Sequence, residues 1–333
     1  MKQLEMALNP LDRYKGTRKP DEVRKSDVAP ASDIPDLELL IRKYEQNIHD
    51  RTLRKYGDAE NYFSLLRPIV TEVLTPSQIN KFLQYTIKHD SSNMYNGVFV
   101  TLLIQNSYNN NHNNFFLDSK ALTYVLQGIG YKLKGKKQDR INLTINGDVG
   151  CGCGEEAREL NLFAVNAGAF CGEEAVSSRF TITGNVEEFC GRDATFCGFN
   201  IGKRAGNDCG NSSRYSVFLI GKSAGVECGH DSTESKFDIK GGVAYECGTG
   251  SRKSEFTILK GVGRKCGDNS VESTFTIHGE IKRSIGMSAA KATFTAYSQE
   301  SYDTLQRHVE KKHGNTIVLL ERGTNRIIEE RIL

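Results

Sequence analysis

A Cys-Gly pair recurs every nineteen residues through much of this chain: Cys171-Gly172, Cys190-Gly191, Cys209-Gly210, Cys228-Gly229, Cys247-Gly248 and Cys266-Gly267. Ile285-Gly286 keeps the beat one step later. Nine residues after each first member stands a Phe, at positions 180, 199, 218, 237, 256, 275 and 294. Two residues further comes Ile182, Ile201, Ile220, Ile239, Ile258 or Ile277. Self-similarity at one fixed period predicts coils that stack on one another. In Ser235-x-Phe237-x-Ile239 the small residue, Phe and Ile alternate, which puts them on one strand face and Lys236 and Asp238 on the other.

No coil of this kind stands alone. Ordering each of its residues costs about 1–2 kcal/mol of backbone entropy. Burying a Phe or an Ile returns only about 1.5–3 kcal/mol. Stacking must supply the rest, with like side chains aligned in columns. Leu143-Thr144-Ile145 and Leu162-Phe163-Ala164 fill two earlier Phe-x-Ile places, and Val186, Ala205, Ala224, Val243, Val262 and Ile281 form a second apolar column. The Gly after each Cys predicts a bend that needs positive φ or has no room for a Cβ.

The expected fold is therefore α+β: a parallel β-helix, or solenoid, of nineteen-residue coils over residues 141–297. A disordered tail (1–35), a helical domain (36–131) and a basic linker (132–140) precede it, and a C-terminal helix and β-hairpin cap (298–333) follows. The tail is rich in Lys, Arg, Asp, Pro and Ser and has no period. Leu37, Leu40, Ile41, Tyr44 and Ile48 fall on one helical stripe. Tyr62, Leu65, Leu66, Ile69, Val70 and Val73 form another, which Pro68 should break. Thr75-Pro76-Ser77-Gln78 is a helix start, with Ile79, Phe82, Leu83 and Ile87 facing inward. Val98–Ile104 fits a buried helix or a strand equally well.

Asn106–Asn114 reads as a loop. Asp118 opens a short helix carrying Leu122, Val125 and Leu126 and stopped by Gly128, and Lys132, Lys134, Lys136, Lys137 and Arg140 form the linker. Both ends of a strand stack need covers, because open strand edges invite polymerisation. The helical region serves at one end. At the other, Tyr302–His313 predicts a helix with Leu305 and Val309 inward and Gly314 as its stop. A hairpin follows, turning at residues 322–325.

Leu143-Thr-Ile-Asn-Gly-Asp-Val-Gly150, Phe180-Thr-Ile-Thr-Gly-Asn-Val186 and Gly241-Gly-Val-Ala244 resemble the Gly-rich β-helix repeat called GXGXG. That repeat forms the C-terminal domain of glutamate synthase large subunits and the C subunit of formylmethanofuran dehydrogenase. The resemblance covers residues 141–297 and implies a right-handed β-helix that serves as a scaffold between subunits or domains. Cys-Gly at the bend and the lack of a Met-x-x-Gly segment depart from the family pattern.

The net charge of +3 is far from the imbalance of a dedicated nucleic-acid binder. No stretch reaches the eighteen or more apolar residues of a membrane span, and the first twenty residues, which contain no apolar run, predict no signal peptide. All nine cysteines lie between Cys151 and Cys266 and predict reduced thiols in a cytoplasmic protein. Stacking spaces column sulfurs about 4.8 Å apart along a line. Zinc instead wants four ligands within about 2.3 Å of one point. The column thus reads as core, and Cys151 and Cys153, which depart from the period, are the candidates for metal or redox use. Gly221-Lys222-Ser223 lacks the Gly of a phosphate loop, since Ser216 stands five residues earlier.

Two surface features remain. Lys203, Lys222 and Lys260 recur in register, with Arg204 and Lys240 beside them, as a basic stripe; Phe196 and Tyr215 share one outward place on adjacent coils. No cofactor and no catalytic set are expected. The leading expectation is a non-catalytic, cytoplasmic scaffold that binds protein partners. One alternative is a structural subunit of a redox or formylmethanofuran-dehydrogenase-like complex. Another is an RNA- or phosphate-ligand-associated protein that uses the stripe.

Overall fold

The computed structural model describes residues 34, 36–48, 59–86, 96–282 and 284–333. The expected tail lies outside the described residues except for Ile34, which is buried. The strands make a parallel β-solenoid of about nine coils at about nineteen-residue spacing. The chain divides into two compact units, residues 1–172 with 176–180 and residues 173–175 with 181–333.

In the first unit, α1 (Leu37–Ile48), α2 (Ala59–Leu66), α3 (Pro76–Thr86) and α4 (Asn96–Asn109) precede β1 (Asn114–Leu117), β2 (Ile141–Ile145) and β3 (Leu160–Ala164). Leu40 and Tyr44 bury the stripe of α1; the side chain of Ile48 lies outside the described residues. Helix α2 ends at Leu66, two residues before Pro68, and of its expected stripe Leu65 and Val73 are exposed. At α3, Thr75 N–H donates to Gln78 Oε1 at 2.8 Å, so the expected start is a capping box. Ile79, Phe82 and Leu83 are buried as expected, and Ile87 lies outside the described residues.

Val98–Ile104 is helix, not strand. Helix α4 is apolar around most of its circumference because most of it is covered. It also runs on through Asn109, which shortens the expected Asn-rich loop. Asn106 does not compete for its own backbone; its side chain donates instead to the carbonyls of Val70 and Glu72.

The ladder begins at β1, not at residue 141. Phe115 lies opposite Leu143, and Leu117 opposite Ile145. The helix expected over 118–128 and the linker expected over 132–140 are instead the first coil. Leu126 bridges Val149, and Lys134 bridges Arg158. Ile129-Gly130 takes the Cys-Gly place: Gly154 N–H donates to Ile129 O at 2.8 Å, as Gly172 N–H does to Cys153 O. From Phe115 to Leu143 is 28 positions (143 − 115), so a nineteen-residue beat does not find this coil.

A first coil has no predecessor to accept its N–H groups, and helix side chains take that role. Asn80 Oδ1 accepts from Asp118 at 2.8 Å, Asn96 Oδ1 from Gln127 at 2.8 Å, and Thr101 Oγ1 from Gly130 at 2.7 Å. Gln105 Oε1 and the Tyr108 hydroxyl accept from Lys134 and Lys136. Close approach requires Gly97: a Cβ there would lie 2.6 Å from Gln127 O.

The division between units falls in β4 (Arg179–Ile182). In the second unit β5 (Gly198–Ile201), β6 (Val217–Ile220), β7 (Lys236–Ile239), β9 (Glu255–Ile258), β11 (Thr274–Ile277) and β12 (Thr293–Ala296) pair in parallel. The register sets Phe on Phe throughout. The rings from Phe199 to Phe294 stack at 4.7–5.0 Å with planes within 8°. Short strands β8 (Val243–Tyr245) and β10 (Val262–Arg264) form a second ladder.

The small residue before each Phe also bonds. Ser216, Ser235, Ser254 and Ser273 each accept an N–H from the preceding coil, at 3.1–3.2 Å, which satisfies a buried polar column. Both reasons for the glycine hold. Gly229 has φ +70, and a Cβ on it would lie 2.5 Å from the Phe256 ring.

The unit closes with α5 (Gln299–His308), β13 (Thr316–Leu320) and β14 (Ile327–Ile332). Helix α5 starts three residues earlier and stops five sooner than expected, with Ser298 capping Ser301 N–H; Leu305 and Val309 are buried. Strand β13 continues the parallel ladder, with Ile317 opposite Phe294. Strand β14 returns antiparallel, placing Arg331 and Glu329 opposite Ile317 and Leu319.

Candidate interaction surface

Each regular coil turns through corners where a residue other than glycine has left-handed backbone. Asp208, Ser212 and Tyr215 have φ of 56°, 56° and 51°, and Glu227, Asp231 and Glu234 repeat them one coil later. Asn, Asp and Gly tolerate that conformation best; a bulky side chain there is uncommon. Phe196 (φ 56°) and Tyr215 occupy the corner that other coils fill with Ser177, Glu234, Lys253, Glu272 or Lys291. Their rings stack at 4.9 Å and 12°. Phe196 is 41% exposed and Tyr215 half-buried, so the structure brings this expected pair together on the outside.

The five cations of the stripe are all exposed. Lys222 N–H donates to Lys203 O, Gly241 N–H to Lys222 O and Lys260 N–H to Gly241 O, so one column holds Lys203, Lys222, Gly241 and Lys260. Lys240 stands one residue before Gly241 and pairs with Asp238 at 2.8 Å; Arg204 stands one residue after Lys203. Other columns neutralise themselves between neighbouring coils. Lys236 pairs with Glu255 at 3.1 Å, Lys265 with Glu246 at 2.6 Å, Lys253 with Glu272 at 3.9 Å, and Arg192 with the buried Glu173. Lys203, Arg204, Lys222 and Lys260 form no ion pair among the described residues.

Sequence reasoning missed the counterpart column. Asp208, Glu227 and Glu246 occupy one corner on three successive coils, followed there by Lys265, which pairs with Glu246; the nineteen-residue spacing was the available signal. Glu227 N–H donates to Tyr245 O and Asp208 N–H to Val226 O, which fixes the register. Burial first, then the neighbouring Asp208 carboxylate, push the Glu227 carboxyl above its usual range.

The candidate cysteines separate. Cys153 is buried in the Cys column, whereas Cys151, two residues away, is exposed, its N–H donating to Gln127 Oε1 at 2.6 Å. The Cys171 thiol beside it, then burial, hold the Cys153 thiol well above its usual range. Cys228 and Cys247 are raised likewise by their column neighbours Cys209 and Cys266. A protonated thiol is a poor metal ligand and a poor nucleophile. Among the described residues no three His, Cys, Asp or Glu side chains converge as a metal-holding group, and no helix is long and apolar enough to cross a membrane.

The fold and its outer columns define a parallel β-solenoid that presents ordered files of like side chains. Compared with known proteins, the chain matches no family model, no curated protein and no solved structure.

Proposed function

We propose that this chain is a non-catalytic protein-interaction scaffold that works in a reducing, cytoplasmic setting. The stacked Phe196–Tyr215 pair carries the reading. The same corner is left-handed from Ser177 to Lys291, and on these two coils alone it carries aromatic rings, stacked on each other and turned outward. Aromatic side chains fixed at low entropy cost are what protein interfaces use as anchors. The coils behind them are held by hydrogen bonds from one coil to the next, so the rings are presented on a rigid base. Nine cysteines, eight of them buried, support the reducing setting. The likeness of the Gly-rich coils to the GXGXG repeat supports the same scaffolding role. The test is a pull-down with the full chain, read by native mass spectrometry. Phe196→Ala/Tyr215→Ala, with its melting temperature unchanged, should lose proteins that the parent chain retains. Identical recovery by both would overturn this reading.

A further inference from the structure

The stripe and the missed carboxylates lie on the two edges of one short face. Two successive coils run Lys203-Arg204-Ala205-Gly206-Asn207-Asp208 and Lys222-Ser223-Ala224-Gly225-Val226-Glu227; on the next, Gly241 takes the cation's place, Lys240 pairs with Asp238 and Glu246 with Lys265. The first two begin with a cation and end with a carboxylate five residues on, about 16 Å apart at full extension. Between them Ala205, Ala224 and Val243 are buried, and the next residues, Gly206, Gly225 and Ala244, are small.

We propose that two copies of this chain pair through this face, the cation edge of each lying on the carboxylate edge of the other. The inference deepens the scaffold reading by naming a second copy as a partner.

Charge complementarity and pitch carry it. Lys203 and Lys222 repeat at the pitch of Asp208 and Glu227, so two copies side by side match cation to carboxylate on these two coils. A two-fold axis along the stacking direction does this twice over, and the contact is isologous and closed. A two-fold axis across the stack would set like charge on like. Lys236 and Glu255 pair between neighbouring coils, and in the carboxylate column Lys265 pairs with Glu246, which leaves Asp208 and Glu227 as its uncompensated members. Lys203 and Lys222 are left stacked on each other, and Asp208 and Glu227 likewise. A second copy relieves both repulsions at once. The small residues between the edges let the backbones approach. A polyanion lying across the face would relieve one edge and be repelled by the other.

The experiment is sedimentation velocity on the full chain. A dimer is expected in about 20 mM salt and a monomer in about 1 M, where the screening length falls to about 3 Å. Lys203→Glu/Lys222→Glu and Asp208→Lys/Glu227→Lys should each be monomeric at low salt. Mixed in equal amounts they should form a heterodimer, since every reversed edge then meets an opposite one. Circular dichroism establishes that each is folded; should either fail, Lys203→Ala/Lys222→Ala should weaken the parent dimer at least tenfold. A monomeric parent chain at low salt overturns the proposal, as does a dimer that survives Lys203→Glu/Lys222→Glu or a mixture that stays monomeric. Hexametaphosphate or oligouridylate binding to a monomeric parent chain, lost in Lys203→Glu/Lys222→Glu, would assign the stripe to a free polyanion instead. Phe196→Ala/Tyr215→Ala should leave the dimer intact, so this inference and the aromatic-anchor reading fail separately.

Discussion

The Thr101 hydroxyl accepts the Gly130 N–H at 2.7 Å, in the role that the Ile129 carbonyl plays for Gly154 one coil later. A helix side chain thus imitates a missing coil. The same hydroxyl donates to Gly97 O at 2.8 Å, so it is oriented as well as placed. Thr101→Val keeps the shape and leaves Gly130 N–H buried without an acceptor, a loss of about 1–3 kcal/mol. Urea denaturation should find that loss, and Thr101→Ser should recover most of it. Equal stability of Thr101→Val and the parent chain would remove the hydroxyl from the account of the cap.

The glycine of the Cys-Gly bend serves two constraints, and substitution can separate them. Gly229→Ala meets a left-handed φ, costing about 1–2 kcal/mol. It also meets the Phe256 ring at 2.5 Å, where overpacking costs a further 1–3 kcal/mol or so. Gly323 has φ +92 and nothing within 4 Å of its would-be Cβ. Gly323→Ala should therefore show only the conformational cost, of about 1–2 kcal/mol. Similar losses at the two sites would mean that the Phe column yields to accommodate the new methyl.

Thiol reactivity should divide the cysteines by column. Cys151 is exposed, and the other eight are buried. Timed alkylation of the native protein, followed by peptide mass spectrometry, should show Cys151 modified first and Cys153 protected until unfolding. Rapid labelling of Cys171, Cys209 or Cys228 would show that the column opens in the native state.

Asp268 gives a pH signature of known sign. Burial raises its carboxyl pKa, against lowering by the hydrogen bond from Met287 N–H (2.9 Å) and by nearby Lys265. An acid whose folded pKa is raised holds its proton more tightly when native, so stability falls as pH climbs from its ordinary value near 4 through the raised one. Asp268→Asn retains the acceptor for Met287 and removes the titration. Its stability between about pH 4 and 7 should slope downward less than that of the parent chain; parallel slopes would place the dependence elsewhere.

The columns of Phe180 to Phe294 were legible because each coil repeats its neighbour, and periodicity survives translation into space. The first coil was not, because its 28-position step and its Ile129-Gly130 variant share neither length nor cysteine with the others. Leu122, Val125 and Leu126 mimic a helical spacing there, yet Leu126 pairs as a strand residue and Val125 is exposed. Thr101 and Asn96 carried no signal at all, since their role depends on which backbone groups lie across from them. The stripe of Lys203, Lys222 and Lys260 could be read by counting. That it faces the file of Asp208, Glu227 and Glu246 across one short face depended on where the corners turn.

Glu329 and Arg331 on β14 lie on the same face as Leu319 and Ile317, the last members of the Ile and Phe columns. Another molecule joining end-on would have to bury these charges against its own apolar interior and pair its backbone with a strand of opposite direction. The returning strand thus serves as a stop codon written in chemistry: it fixes the number of rungs in the ladder and keeps a self-templating pattern from becoming a fibre.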